Sequence, residues 1–272
     1  MKKFIAFTMT AAMLMSLVAC AKDSEETTAE TAAETSVETV AETEAEETVA
    51  ETEETVAETE ETVAETEAVE TADVMTYDEY VAAAMDDEVV IDAVVMDTQS
   101  WWNDKITAYL ADEDGAYFCY EMACSEDDAA LLVPGAEIIV TGYKSEWSGE
   151  VEIVDATFEY VGQTDIAFAA VDVTEFIGTD DLIDYQNQFV TFKDMTVVSV
   201  AFKNDEPGDD IYVTLSKDDT NVEFCLEYYL NGDDADFYDL VSGLEAGQTV
   251  DVEGYLYWYE GVNTHITAVT VK

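Results

Sequence analysis

From Glu88 onward, apolar and polar side chains alternate in short runs, the period of strands buried on one face. In the first half of this region the runs are Glu88 to Met96, Lys105 to Leu110, Ala116 to Met122, Glu137 to Gly142 and Glu150 to Phe158, all rich in Val, Ile, Tyr and Phe. Thr76 to Ala84 predicts a lead-in helix, because Thr76 and Glu79 stand at capping-box spacing. Glu126 to Leu132 predicts a second helix, and Asp112-Glu-Asp-Gly115 a turn between the second and third strands. Parity sends Ile106, Ala108 and Leu110 inward and Lys105, Thr107 and Tyr109 outward. In the third strand it sends Phe118, Tyr120 and Met122 inward and Tyr117, Cys119 and Glu121 outward. The expected core is Val89, Ile91, Val95, Ile106, Leu110, Phe118, Tyr120, Ile138, Val140, Val151 and Ile153.

The pattern then repeats. Leu132-Val-Pro-Gly-Ala-Glu-Ile-Ile-Val-Thr-Gly-Tyr143 returns as Leu244-Glu-Ala-Gly-Gln-Thr-Val-Asp-Val-Glu-Gly-Tyr255, and the same offset carries Gly149 onto Gly261. Phe118-Cys119-Tyr120-Glu121 returns as Phe224-Cys225-Leu226-Glu227 at a shorter offset, the difference being absorbed near Asn231 to Asp236. Two anchors in the same order predict a duplicated domain, 76–163 and 166–272.

Upstream the character changes. Lys2 and Lys3 precede an apolar run from Phe4 to Val18, the layout of an export signal and too short for a comfortable membrane span. Residues 21–73 are almost all Glu, Thr, Ala and Val, with 20 acids against Lys22 alone. The unit E-E-T-V-A-E-T runs unbroken from Glu46 to Thr66. Its Val-Ala pairs are adjacent and not spaced as a coiled-coil seam, and a helix would set Glu47 over Glu51 and Glu54 over Glu58. The composition predicts a disordered acidic stalk. Leu17-Val18-Ala19-Cys20, at the end of the export signal, resembles the bacterial lipobox. That resemblance implies cleavage before Cys20, lipidation of Cys20, and a lipid anchor as the link to the membrane. It places the protein on the extracytoplasmic face of a bacterial cell membrane, Gram-positive in type.

Five strands with a helix between the third and fourth resemble the OB-fold, a partly open Greek-key barrel. The resemblance rests on the strand order, the D-x-D-G turn and the segment P-G-x-x-I-x-V-x-G-Y, and covers nearly all of both repeats. The second copy departs from it at Lys217-Asp-Asp-Thr220, where the turn has no glycine. It implies an all-β fold of two tandem OB-like barrels. It also implies a ligand face on the outside of the second and third strands, between the first and fourth loops. Those loops hold Trp101, Trp102 and Trp147; the strand face beneath holds Tyr109, Tyr117 and Glu121. The matching loop of the second copy holds Tyr257, Trp258 and Tyr259. These nine are the candidate ligand-binding residues, with large rings at barrel ends also able to seal a core.

Composition narrows the chemistry. The net charge is -55, from 64 acids and 9 bases, every base a lysine. Without arginine and with this charge, nucleic acid is not expected as a partner. Planar rings beside carboxylates and amides suit a carbohydrate or a peptide. The one histidine, His265, cannot furnish a two-histidine metal site and reads as a core or barrel-wall residue. The acidic loops Asp205 to Asp210 and Asp233 to Asp236 lack EF-hand spacing and read as solvated faces. No catalytic residue, metal or cofactor is expected, and no enzyme. Cys119, Cys124 and Cys225 show no C-x-x-C and read as inert thiols; a Cys119–Cys124 bridge is unforced. Two readings follow: a lipid-anchored extracellular binding protein for carbohydrate or peptide, or a structural or assembly subunit of a surface complex with a protein partner.

Overall fold

The computed structural model describes residues 74–272; the expected export signal, Cys20 and the stretch expected to form an acidic stalk lie outside the described residues. Helix α1 (Tyr77–Ala82) opens the first barrel, followed by β1 (Glu88–Thr98), β2 (Lys105–Ala111) and β3 (Ala116–Ala123). A single turn, α2 (Glu126–Ala129), leads to β4 (Ala136–Trp147) and β5 (Glu150–Gln163). The strands close in the order β1-β2-β3-β5-β4, with only β3 and β5 parallel. The second barrel has a two-residue edge strand, β6 (Val171–Asp172), then β7 (Phe189–Phe202), β8 (Ile211–Lys217) and β9 (Thr220–Leu226). Two helices, α3 (Tyr228–Asn231) and α4 (Ala235–Ser242), precede β10 (Thr249–Tyr255) and β11 (Asn263–Val271). Strand β10 pairs back onto β7, so the second ring closes in the same order as the first. The fold is all-β: two tandem five-stranded OB-like barrels.

Local chemistry fixes the ends of α1. The Thr76 hydroxyl accepts from the Glu79 backbone N–H and the Glu79 carboxylate accepts from the Thr76 N–H, which satisfies two of the unpaired donors of the first turn. At the other end, Lys144 reaches in from β4 and its ammonium donates to the carbonyls of Tyr80, Val81 and Ala83 at 2.8, 2.9 and 3.0 Å. A cation on the last carbonyls of a helix opposes the negative end of its dipole, and the three hydrogen bonds offset the cost of burying the charge. The ammonium also sits 5.0 Å from the centre of the Tyr80 ring.

Each barrel encloses its own core. Val89, Ile91, Val95, Ile106, Leu110, Ile138, Val140 and Ile153 fill the first as expected, with Val151 half-buried at its margin. Phe192, Met195, Leu215, Phe224, Val252 and Ile266 fill the second. The third strand corrects the expected parity. Tyr117 and Cys119 point into the barrel, Phe118 is buried on the outside, and Tyr120 is 45% exposed. The reason is a β-bulge: Glu121 adopts φ 47° and the pairing of β2 with β3 slips between Ile106 and Ala108. One extra residue reverses the alternation, so Met122 returns to the interior although Phe118 and Tyr120 do not share its face. The hydroxyl of Tyr117 finds an acceptor in Asp112, in the turn before β3.

The shorter-offset repeat anchor needs the same correction. Phe118 faces out of barrel 1, whereas Phe224 lies in the core of barrel 2. A one-residue slip exchanges the two faces of a strand, so Cys119 and Cys225 are not equivalent: the first points into its barrel, the second to the outside. All three described cysteines are free and buried, and burial pushes each thiol up, that of Cys124 to about 11. Such thiols stay protonated and poorly nucleophilic at neutral pH.

A third apolar cluster, absent from the sequence reading, joins the barrels. Tyr109 and Phe118, paired across β2 and β3, pack against Tyr255 with Met96, Phe189, Leu230 and Tyr257 around them. The Tyr109 and Tyr255 rings stack at 4.4 Å, and Phe118 meets Tyr257 edge-on at 5.2 Å. His265 joins this seam: its Nδ1 lies 2.6 Å from the Tyr109 hydroxyl and its ring stacks on Tyr257 at 4.3 Å. On another side the β4–β5 hairpin touches the second barrel. The buried Glu150 carboxylate accepts from the Trp258 N–H at 2.7 Å and from Gln186 Nε2 at 3.1 Å, while its other oxygen has no partner.

Candidate functional site

The second barrel covers part of the outer face of β2 and β3, and this decides where a ligand can reach. What remains open is a groove of about 380 Å³ between the barrels, lined by Gln99, Ser100, Trp102, Lys105, Ile106, Thr107, Tyr120, Glu121 and Tyr229. Its wall on the β1–β2 loop is pinned: the Ser100 N–H donates to the Tyr229 carbonyl at 2.7 Å, and the Ser100 hydroxyl donates to the same oxygen at 3.0 Å. Trp102, 77% exposed, stands on one side, held by paired backbone hydrogen bonds with Lys105. Tyr120 and Tyr229 are also exposed. The floor is polar. The Lys105 ammonium donates to Glu121 at 2.6 Å, and the Glu121 N–H donates to the Thr107 hydroxyl at 3.2 Å. The bulge thus aims the Glu121 carboxylate and the Tyr120 ring into the same groove. Three rings around a hydroxyl, an amide and an ion pair form a site that can stack on a flat ligand and hydrogen-bond its edge.

The structure divides the nine candidate residues. Trp102 and Glu121 line the groove. Trp101 does not: its indole N–H donates to the Cys124 carbonyl at 2.8 Å and its ring packs on the barrel core, so it seals the barrel end. Tyr109 is on the expected strand face but buried, because the second barrel lies over it. Tyr117 is in the interior through the bulge. Trp147 is 60% exposed at the tip of the β4–β5 hairpin and does not line the groove. The residues after it bind the second barrel instead: the Glu260 N–H donates to the Ser148 carbonyl at 2.8 Å, and Trp258 lies so close over Gly149 that a side chain there would strike the indole. Tyr257 and Tyr259 line a different cleft, on barrel 2, and Trp258 is half-buried in this contact.

The sequence reading missed Gln99, Ser100, Thr107, Tyr120 and Tyr229 as groove residues. For Tyr229 a signal existed. It belongs to α3, the helix next to the six-residue difference between the repeats, where the second copy has chain that the first lacks.

The expectation of a solvated acidic loop holds for Asp205 and Glu206, which are exposed, but not for Asp210, which is buried. Lys203 bridges Asp209 at 3.1 Å and Asp210 at 2.9 Å, so the loop carries its own counter-charge. Among the described residues, no group of three His, Cys, Asp or Glu side chains is arranged to hold a metal ion.

No protein-family model and no curated protein matches the chain. Solved structures do. A murine DNA-binding protein bound with double-stranded DNA is similar at 9% identity and TM-score 0.34, over 67% of this chain and 94% of that one. The p204 HINb domain is similar at 13% identity and TM-score 0.33, over 70% and 100%. The p202 HIN1 structure in complex with 12-mer double-stranded DNA is similar at 10% identity and TM-score 0.33, over 70% and 95%. The expectation that nucleic acid is no partner is corrected here, since two of these similar structures hold DNA. Net charge is a sum over every face of a molecule and does not describe the potential at one groove.

Proposed function

We propose that this chain is a lipid-anchored binding protein of the extracytoplasmic bacterial surface whose groove between the barrels takes a carbohydrate or an extended peptide, and that it is not an enzyme. The observation that supports it is the meeting of three exposed rings, Trp102, Tyr120 and Tyr229, with the hydrogen-bonding floor of Lys105, Thr107 and Glu121. Sugar rings present one apolar face and a hydroxyl edge, and such a groove answers both. The lipobox-like ending at Cys20 and the acidic stretch of 21–73 support an anchor and a spacer. At no more than about 3.3–3.6 Å per residue, that stretch would reach on the order of 170 Å from the lipid.

The groove is tested by a binding screen of soluble cell-wall glycans, peptides and DNA oligonucleotides, read by tryptophan fluorescence. Trp102→Ala is expected to weaken glycan or peptide binding about ten- to hundredfold, by analogy with aromatic stacking platforms worth about 1–3 kcal/mol per stacked unit. It should leave stability nearly unchanged, because the ring is exposed. Trp147→Ala should leave binding unchanged. Preferential binding of DNA, or equal loss in both variants, would overturn the reading of this groove. The anchor is tested separately: Cys20→Ala should move the protein from the membrane fraction to the soluble one, since acyl chains and not the barrels supply that affinity. A variant that still sediments after a high-salt wash would refute it.

A further inference from the structure

Lys105 is the one base that lines the groove between the barrels, and Glu121 is its one acid. They meet across β2 and β3 at 2.6 Å, each about half exposed. Each is the other's counter-ion, so the groove carries no net charge although the whole chain carries -55. A ligand carboxylate or phosphate can bind Lys105 only in competition with Glu121, which would be left as an unpaired acid on an acidic molecule. A ligand ammonium competes with Lys105 for the Glu121 carboxylate and is repelled by that same cation. Charge of either sign thus disturbs a charge-assisted hydrogen bond that an uncharged ligand leaves in place.

The backbone of the lining is committed as well. The Gln99 N–H donates to the Thr107 carbonyl at 2.9 Å and the Ser100 N–H to the Tyr229 carbonyl at 2.7 Å. Trp102 and Lys105 each donate to the other's carbonyl, at 3.0 and 3.1 Å, and the Glu121 N–H is taken by Thr107. A peptide that adds as a strand needs main-chain donors, and these five are in use. The floor of Lys105, Thr107 and Glu121 also offers polar groups in place of the apolar pockets that seat a peptide's side chains. What remains is the three rings, the second carboxylate oxygen of Glu121, and the amide carbonyl of Gln99, whose Nε2 is held by the Tyr109 hydroxyl. Acceptors of this kind take hydroxyl donors. The backbone under the Trp102 ring is fixed by the tight turn that follows, in which Asn103 and Asp104 both take left-handed φ, 52° and 60°.

We infer that the groove is selective for an uncharged glycan and that the Lys105–Glu121 pair is the device that discriminates against charged chains of either sign. Sugar rings stack on Trp102, Tyr120 and Tyr229, their hydroxyls donate to Gln99 and Glu121, and the ion pair stays closed. This selectivity rests on the groove being the ligand site proposed above, and narrows its ligand from carbohydrate or peptide to one class.

The test is titration calorimetry of the full chain at physiological salt, which screens long-range repulsion from the acidic surface. The neutral probes are a cellulose hexamer and a chitin hexamer. The cationic probe is the deacetylated chitin hexamer, the anionic probe a carboxymethylated cellulose hexamer, and an uncharged decapeptide completes the set. A neutral hexamer is expected to bind about tenfold or more tightly than its charged derivative and than the peptide, with Trp102→Ala weakening it and Trp147→Ala not. Two variants read the selectivity itself. Glu121→Gln frees Lys105 and should shift the ratio of anionic to neutral affinity about three- to tenfold toward the anion. Lys105→Gln frees Glu121 and should shift the ratio of cationic to neutral affinity by a similar factor toward the cation. A general loss of stability moves neither ratio. A charged hexamer or the peptide binding as tightly as the neutral hexamers, in a Trp102-dependent way, would overturn the selectivity and leave the groove standing as a ligand site. Ratios that stay fixed in both charge variants would overturn it too. If no probe binds in a Trp102-dependent way, the groove reading falls and this inference with it.

Discussion

Tyr109→Ala is expected to lower the stability of the two-barrel unit by about 3–5 kcal/mol, the largest loss of any single substitution on the outer face of barrel 1. The ring is 1% exposed and contacts Tyr255, Phe118 and His265, so its removal leaves a cavity between two domains that cannot both collapse into it. It also strands Gln99 and His265, whose hydrogen bonds both end on the missing hydroxyl. Tyr109→Phe separates the two effects: it keeps the ring and removes only the hydroxyl, at a cost of about 1–3 kcal/mol for the unpaired groups. Denaturant melts of both variants, with the His265 titration followed by NMR, check this. Burial holds the wild-type imidazole down to about 3. In Tyr109→Ala it should titrate closer to an ordinary histidine as water enters the seam. A loss below about 1 kcal/mol, with the imidazole unmoved, would mean that the barrels merely touch.

The second large effect is on pH dependence. Glu150 is fully buried where the hairpin meets barrel 2, and burial holds its carboxyl well above the usual carboxylate range, with Glu152 adding to the rise. Glu227 is raised to about 7. Both groups bind their protons more tightly in the folded than in the unfolded chain. Their contribution is therefore complete below the ordinary value of about 4.5 and is lost as pH rises, through about 7 for Glu227 and in the same direction for Glu150. For Glu227 the loss is about 3 kcal/mol, at about 1.4 kcal/mol per pH unit of displacement. His265 acts in the opposite sense. Its folded value is depressed, so its contribution is complete above about 6.5 and falls away as pH drops toward about 3. Stability should then peak in mildly acid solution and decline toward pH 8. In Glu227→Gln the decline between about pH 4.5 and 7 should flatten, and in Glu150→Gln the part of the decline that comes from that carboxyl should vanish, because the amide keeps the acceptor for the Leu230 or Trp258 N–H and cannot ionise. Melting temperatures of the three proteins across pH 4 to 9 test it; an unchanged slope in both variants would assign the effect to general repulsion among the surface acids.

The strands were legible because each is half-buried, and half-burial writes itself into the chain as alternation. The helix before β1 was legible because both partners of its capping box are local. The face of β3 was not, because a bulge at Glu121 leaves no mark that a period-two reading can see. Nor was the fate of Tyr109 legible. A tyrosine on an outer strand face looks the same whether a ligand or a neighbouring domain covers it, and the cover comes from residues about 150 positions away. The groove was half legible for the same reason: Trp102 and Glu121 come from barrel 1 alone, while Tyr229 is placed by the packing of the two barrels.

The joint between the barrels is head-to-tail. Barrel 1 offers its β2–β3 face, and barrel 2 answers with β10 and the segment after it. Such a contact is not self-complementary, and a contact of that kind can repeat without end: barrel 2 has a β8–β9 face of its own to offer a third module or a second molecule. Where barrel 1 presents Tyr109 and Phe118, however, that face presents Tyr212 and Cys225 beside Glu223 and Glu227. An apolar partner seated there would bury carboxylates without counter-ions. The acids of barrel 2 thus oppose continuation of the series through that face, so the same head-to-tail contact that joins the two barrels is not offered again by the second.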